Sequence, residues 1–132
     1  MTALQWLAAT ALLTALLSLP YVVGRIASIG LMGAMANPTP ELEAAQPPWA
    51  KRGRAAHYNA VENLVPFATL VLIAQAIGIA THPNVVLACA LYFFSRLAHY
   101  VVYSLGIPVV RTLSWAGGFV ATLIVGWAIF GG

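Results

Sequence analysis

Hydrophobic positions fall in four long runs separated by short polar or proline-rich stretches. The first covers residues 4–24, the second about 55–80, the third 85–105 and the fourth 110–130. Leu4 to Val23 carries no charge. At about 1.5 Å per helical residue, some twenty residues match a hydrocarbon layer about 30 Å thick. Asn37–Trp49 separates the first two runs and holds Pro38, Pro40, Pro47 and Pro48 with Glu41 and Glu43, a density of proline that forbids continuous helix. Thr81-His82-Pro83-Asn84 and Gly106-Ile107-Pro108 are tight turns. The pattern predicts an all-α integral membrane protein of one domain over 1–132, folded as a four-transmembrane-helix bundle. Thr10, Thr14 and Ser18, like Gly118, Thr122 and Gly126, form small-residue stripes suited to close helix contact. Pro66 is expected to kink the second helix and to free a carbonyl. No basic residue precedes the first run, which is also longer than a secretory signal core, so it reads as a retained helix.

Composition agrees with this reading. Of 132 residues, 61% are hydrophobic and 7% charged, against roughly a quarter charged in a soluble domain. The net charge of +3 is too small to point to nucleic acid. Its placement says more. Arg25, Lys51, Arg52, Arg54, Arg96 and Arg111 all lie on one side of an alternating four-span topology, or in helices leading there. The positive-inside rule assigns that side to the cytoplasm and both termini to the opposite side. Cys89 stands alone, which excludes an intrachain disulfide and a cysteine metal site. His57, His82 and His99 lack metal-ligand spacing, so no metal is expected.

The second run opens on RAAHYNAVENLVPF, residues 54–67, polar in its first ten positions and apolar afterwards. Arg54, Tyr58 and Glu62 fall four apart on one helical face, with Asn59 beside them. Glu62 is the only acidic residue outside the loop ahead of this helix, and a carboxylate within a span is costly without a partner or a function. It lies about 12 Å along its helix, and Arg96 about 13 Å along the third measured from the same face. Equal depth on adjacent spans predicts a Glu62–Arg96 ion pair with Asn59 as a third member. Arg96 shares a stripe of the third helix with Tyr92, His99, Tyr100 and Tyr103, of which Tyr92, His99 and Tyr100 either line a groove or pack between helices. Arg25, Arg54, Arg96 and Arg111 near one face suit an anionic ligand from the cytoplasm, held in bidentate fashion, with a lipophilic second substrate arriving through the membrane. They equally suit the anionic headgroups around a simple membrane anchor.

The same stretch resembles the MAPEG family, membrane-associated proteins in eicosanoid and glutathione metabolism, and its microsomal glutathione transferase branch in particular. RAAHYNAVENLVPF is similar to that branch's Arg-x-Ala-His-x-Asn-x-x-Glu-Asn-x-x-Pro-Phe pattern. Arg25 ending the first helix, Arg96 and Tyr103 seven apart in the third, and Arg111 opening the fourth match as well. The resemblance implies a homotrimer binding glutathione as co-substrate between neighbouring subunits, near the cytoplasmic face. Arg54, Asn59, Glu62, Arg96 and Tyr103 would hold the tripeptide, Arg25 would lie close to it, and Arg111 would keep its sulfur ionised. The activity implied is a glutathione-dependent transferase or peroxidase acting on lipophilic electrophiles or lipid hydroperoxides. Ala55 stands where family members often carry a second consecutive arginine, and the stretch before Arg111 aligns only with a one-residue gap. The competing expectation is a non-catalytic member of the same fold that binds lipid or serves as a subunit of a larger membrane complex.

Overall fold

The structure is a computed structural model and describes residues 1–131. Six helices follow in order: α1 (Ala3–Leu16), α2 (Ser18–Met35), α3 (Pro40–Ala44), α4 (Pro48–Ala76), α5 (Pro83–Leu105) and α6 (Pro108–Ile129). Among the described residues there is no strand. α1 begins with a reciprocal cap: Gln5 N–H donates to Thr2 Oγ1 at 3.2 Å, and Thr2 N–H donates to Gln5 Oε1 at 2.9 Å. The last four α-helices, α3 to α6, each open on proline, whose fixed φ suits the first turn and whose missing N–H would have no helical partner there. α5 closes on Gly106, at φ +80°, with the Ile107 N–H reaching back to the Val102 carbonyl at 3.0 Å.

α1 and α2 make a single crossing with a bend. Leu17 between them keeps a right-handed helical backbone, and Pro20 lacks the N–H that would reach the Leu16 carbonyl. Gly30, at φ +74°, breaks the far end of α2. α4 starts earlier than the apolar run that marks its membrane part. Pro48 nucleates the turn, and Lys51, Arg52 and Arg54 extend the helix outside the hydrocarbon. Four segments, Ala3–Met35, Pro48–Ala76, Pro83–Leu105 and Pro108–Ile129, are long and apolar enough to cross a membrane. The chain is thus an all-α integral membrane protein built as a four-helix bundle.

α5 is the central helix, packed against α6, α4 and α1, while α2 lies along α4. The main core stacks Phe67 of α4 flat on Tyr92 of α5, ring centroids 3.6 Å apart and 4° from parallel. Val71, Ala74, Val85, Ala88, Cys89, Ala121 and Val125 close around that stack. Thr10 and Thr14 are buried where α1 meets the bundle, and each hydroxyl donates to the carbonyl one turn back, so neither is orphaned. A second, smaller cluster joins Leu17, Ala56, Ala60 and Tyr100. It lies at the cationic end of the bundle, where α2 and α5 finish and α4 and α6 begin. The outer faces present Leu12, Leu72, Leu87 and Val120, suited to acyl chains.

Candidate functional site

At the cationic end α4, α5 and α6 frame an open cavity of about 270 Å³ lined by Asn59, His99, Tyr103, Arg111, Thr112 and Trp115. The helical period explains who meets there. His99 and Tyr103 are four apart on α5, and Arg111, Thr112 and Trp115 occupy the first two turns of α6. His99 Nδ1–H donates to the Arg111 carbonyl at 3.0 Å, tying α5 to the start of α6. Its Nε2 is buried without a partner among the described residues. The Arg111 guanidinium lies over the Tyr103 ring, 4.7 Å from its centroid, and no described residue accepts a hydrogen bond from it.

Arg96 bonds to two of the lining residues, Asn59 and Trp115, and is 1% exposed, the largest fully buried side chain among the described residues. Its Nη1 donates to Asn59 Oδ1 at 3.3 Å and its Nη2 to the Trp115 carbonyl at 3.0 Å, and its Cζ sits 5.1 Å from the Tyr92 ring centroid. Every one of these partners is neutral. The guanidinium fits because position 118 is glycine: a Cβ there would overlap Arg96. Gly118→Ala is therefore expected to push Arg96 out of place and to destabilise the protein by about 1–3 kcal/mol. Thermal unfolding of the detergent-solubilised protein reads this, and an unchanged midpoint refutes it.

A second charged cluster occupies the other side of α4. Arg25 of α2 and Arg54 of α4 share one carboxylate: Arg25 Nη1 lies 2.8 Å from Glu43 Oε1, and Arg54 Nη1 lies 3.2 Å from Glu43 Oε2. Arg54 also donates from Nε to the Tyr58 hydroxyl at 3.1 Å. Next to it the Tyr21 hydroxyl and His57 Nδ1 share a hydrogen bond of 2.9 Å.

The structure brings together Asn59, Arg96, Tyr103 and Arg111. It sets Arg25 and Arg54 apart from them. Five residues separate Arg54 from Asn59, a turn of about 140° around the α4 axis. The expected Glu62–Arg96 ion pair does not form, and Glu62 is exposed. Depth along a helix does not fix rotation about it, and rotation decides here. Ala56, Ala60, Phe67, Val71 and Ala74 are the inward face of α4, and Glu62 lies about 160° around from Ala60. That alternation of small and large apolar residues at three- and four-residue spacing is the sequence signal for which way Glu62 turns. Glu43 and Trp115 join the charged clusters without any motif to mark them, and the structure resolves His99 as a cavity-lining residue. Among the described residues no three side chains of His, Cys, Asp or Glu come together in one cluster.

The fold and its buried guanidinium define a small integral membrane protein of four crossings with a polar cavity at one end. The MAPEG family profile matches residues 3–131, and the chain belongs to that family. Comparison with curated proteins and with solved structures gave no match.

Proposed function

We propose that the protein is a glutathione-dependent transferase or peroxidase of the microsomal glutathione transferase type, acting on lipophilic electrophiles or lipid hydroperoxides. One observation carries the reading: Arg96 is buried in a membrane helix with only neutral partners, and two of these, Asn59 and Trp115, line the cavity that also holds the Arg111 guanidinium, for which no described residue is a hydrogen-bond acceptor. An arginine inside a span is costly and marks a site by default. A small anionic ligand would compensate both charges. Glutathione matches, bearing two carboxylates, one ammonium and an ionisable thiol. Family membership supports the choice, since this is a family of glutathione and eicosanoid metabolism.

In this reading Arg96, Asn59 and Tyr103 hold the tripeptide from one protomer. Arg25, Arg54 and Glu62 reach it from a neighbouring copy, with Glu62 answering the ammonium. Two observations favour a neighbouring copy against this surface, and the resemblance to the microsomal glutathione transferases makes the assembly a homotrimer. The arginine clusters lie on different sides of α4, and Glu62 points out of the protomer within a span, where bare lipid would penalise it. Arg111 stabilises the thiolate. The sulfur attacks the electrophilic carbon and displaces the leaving group, or attacks the terminal hydroperoxide oxygen, breaking the O–O bond to release the alcohol and leave a glutathione sulfenic acid, which a second glutathione converts to the disulfide and water. The cationic end faces the cytoplasm and both termini face away.

Calorimetric titration of the purified protein with glutathione, followed by thiolate absorbance, tests the proposal. Heat of binding and a thiolate band near neutral pH are expected. Neither signal would leave the non-catalytic, lipid-binding member of the family as the better description.

A further inference from the structure

The two ion pairs of the described residues both end on Glu43, and both start from arginines assigned above to glutathione. Glu43 belongs to α3, a five-residue helix that opens on Pro40 and is followed by Pro47 and Pro48. α3 packs extensively on no other helix. The side-chain bonds holding it to the bundle are those of Glu43 to Arg25 and Arg54, and that of Lys51 Nζ to the Ala44 carbonyl at 3.2 Å. The other acidic residue of the segment is engaged locally: hydrogen bonds from its own backbone N–H and from Thr39 at the start of α3 hold the Glu41 carboxyl below its usual range. Glu43 alone reaches across. One of its oxygens goes to each guanidinium, the arrangement an external carboxylate would adopt.

We propose that Glu43 is an internal carboxylate latch: it fills the Arg25–Arg54 pair in the resting protein, docks α3 over it, and is displaced when a carboxylate ligand binds. The part of this concerning glutathione rests on the function proposed above. The pairs are weak enough to exchange. The Glu43 side chain is 36% exposed and that of Arg54 38%, so this arm is solvent-screened and contributes little; Arg25, 15% exposed, makes the firmer arm, and Glu43 itself stays open to solvent and to a competing carboxylate. A ligand that binds only the undocked form has its affinity reduced by the undocked fraction, so the latch raises the concentration needed for half-occupancy.

A nitroxide attached at Ala45→Cys reports α3 directly, because Cys89 is buried and escapes labelling. The label is expected to be restricted in the parent and mobile in Glu43→Gln without any ligand. Succinate, a plain dicarboxylate, is expected to mobilise the parent's label and to leave the Glu43→Gln label as it was. Glutathione is expected to bind Glu43→Gln about threefold to tenfold more tightly than the parent. A label equally restricted in both proteins overturns the latch, as does a parent label indifferent to succinate. Equal glutathione affinity in both proteins overturns the competition while keeping the glutathione function. Glutathione binding to neither protein, with labels behaving as expected, strikes the glutathione function and keeps the latch.

Discussion

Arg111→Ala is expected to turn over 1-chloro-2,4-dinitrobenzene with glutathione about twentyfold more slowly than the parent at pH 7, and to approach the parent above about pH 9. A free thiol titrates near 8.5, so only a few per cent is ionised at neutral pH. Lowering that value by two units takes about 2.7 kcal/mol and leaves most of the sulfur as thiolate. One guanidinium in a partly desolvated cavity is of that order. Arg111 is free to meet the sulfur, since its backbone is fixed by His99, its face rests on Tyr103, and no described residue accepts from its guanidinium. The pH dependence identifies the role. A residue that merely shapes the cavity would lower the rate by the same factor at every pH, whereas loss of a thiolate stabiliser moves the ascending limb upward by about two units. Parallel profiles for parent and variant would sink the assignment.

Arg96→Met is expected to separate stability from binding. Glutathione affinity falls by about thirtyfold or more, equivalent to about 2 kcal/mol, because a buried charge-assisted contact is lost. The ligand-free protein keeps its unfolding midpoint or gains the equivalent of about 1–4 kcal/mol. The sign follows from the neutral partners. No carboxylate is abandoned when the cation goes, and methionine fills much of the same volume. The Trp115 carbonyl stays in the α6 ladder, and Asn59 borders the cavity, where its amide oxygen finds solvent. Had Glu62 paired with Arg96, the same substitution would have stranded a buried carboxylate and cost several kcal/mol. A markedly lower midpoint for Arg96→Met in the absence of ligand would mean that this cation is structural.

Much of the bundle is legible in the sequence because membrane-spanning helices announce themselves by length and apolarity, and because prolines mark where each restarts. The polar opening of α4 is legible for the complementary reason: polar side chains inside a span need an explanation, and the cavity supplies one for Asn59. Rotation about a helix axis is harder to read. Rise per residue places Glu62 and Arg96 at one level, but only the inward row of Ala56, Ala60 and Phe67 tells which way each faces. Glu43 is out of reach altogether. Its contacts with Arg25 and Arg54 cross 18 and 11 residues of chain, and a proline-rich loop offers no period from which to read a direction. Gly118 looks in sequence like one more small residue in a contact stripe, when its missing methyl is the space Arg96 fills.

The one sulfhydryl, Cys89, lies at 0% exposure within the Phe67–Tyr92 core. In the proposed reaction the thiol belongs to another molecule, and the protein exposes no cysteine of its own for mixed disulfides or stray thiol alkylation. Under that proposal, electrophiles delivered by the bilayer would be conjugated without consuming a thiol of the protein.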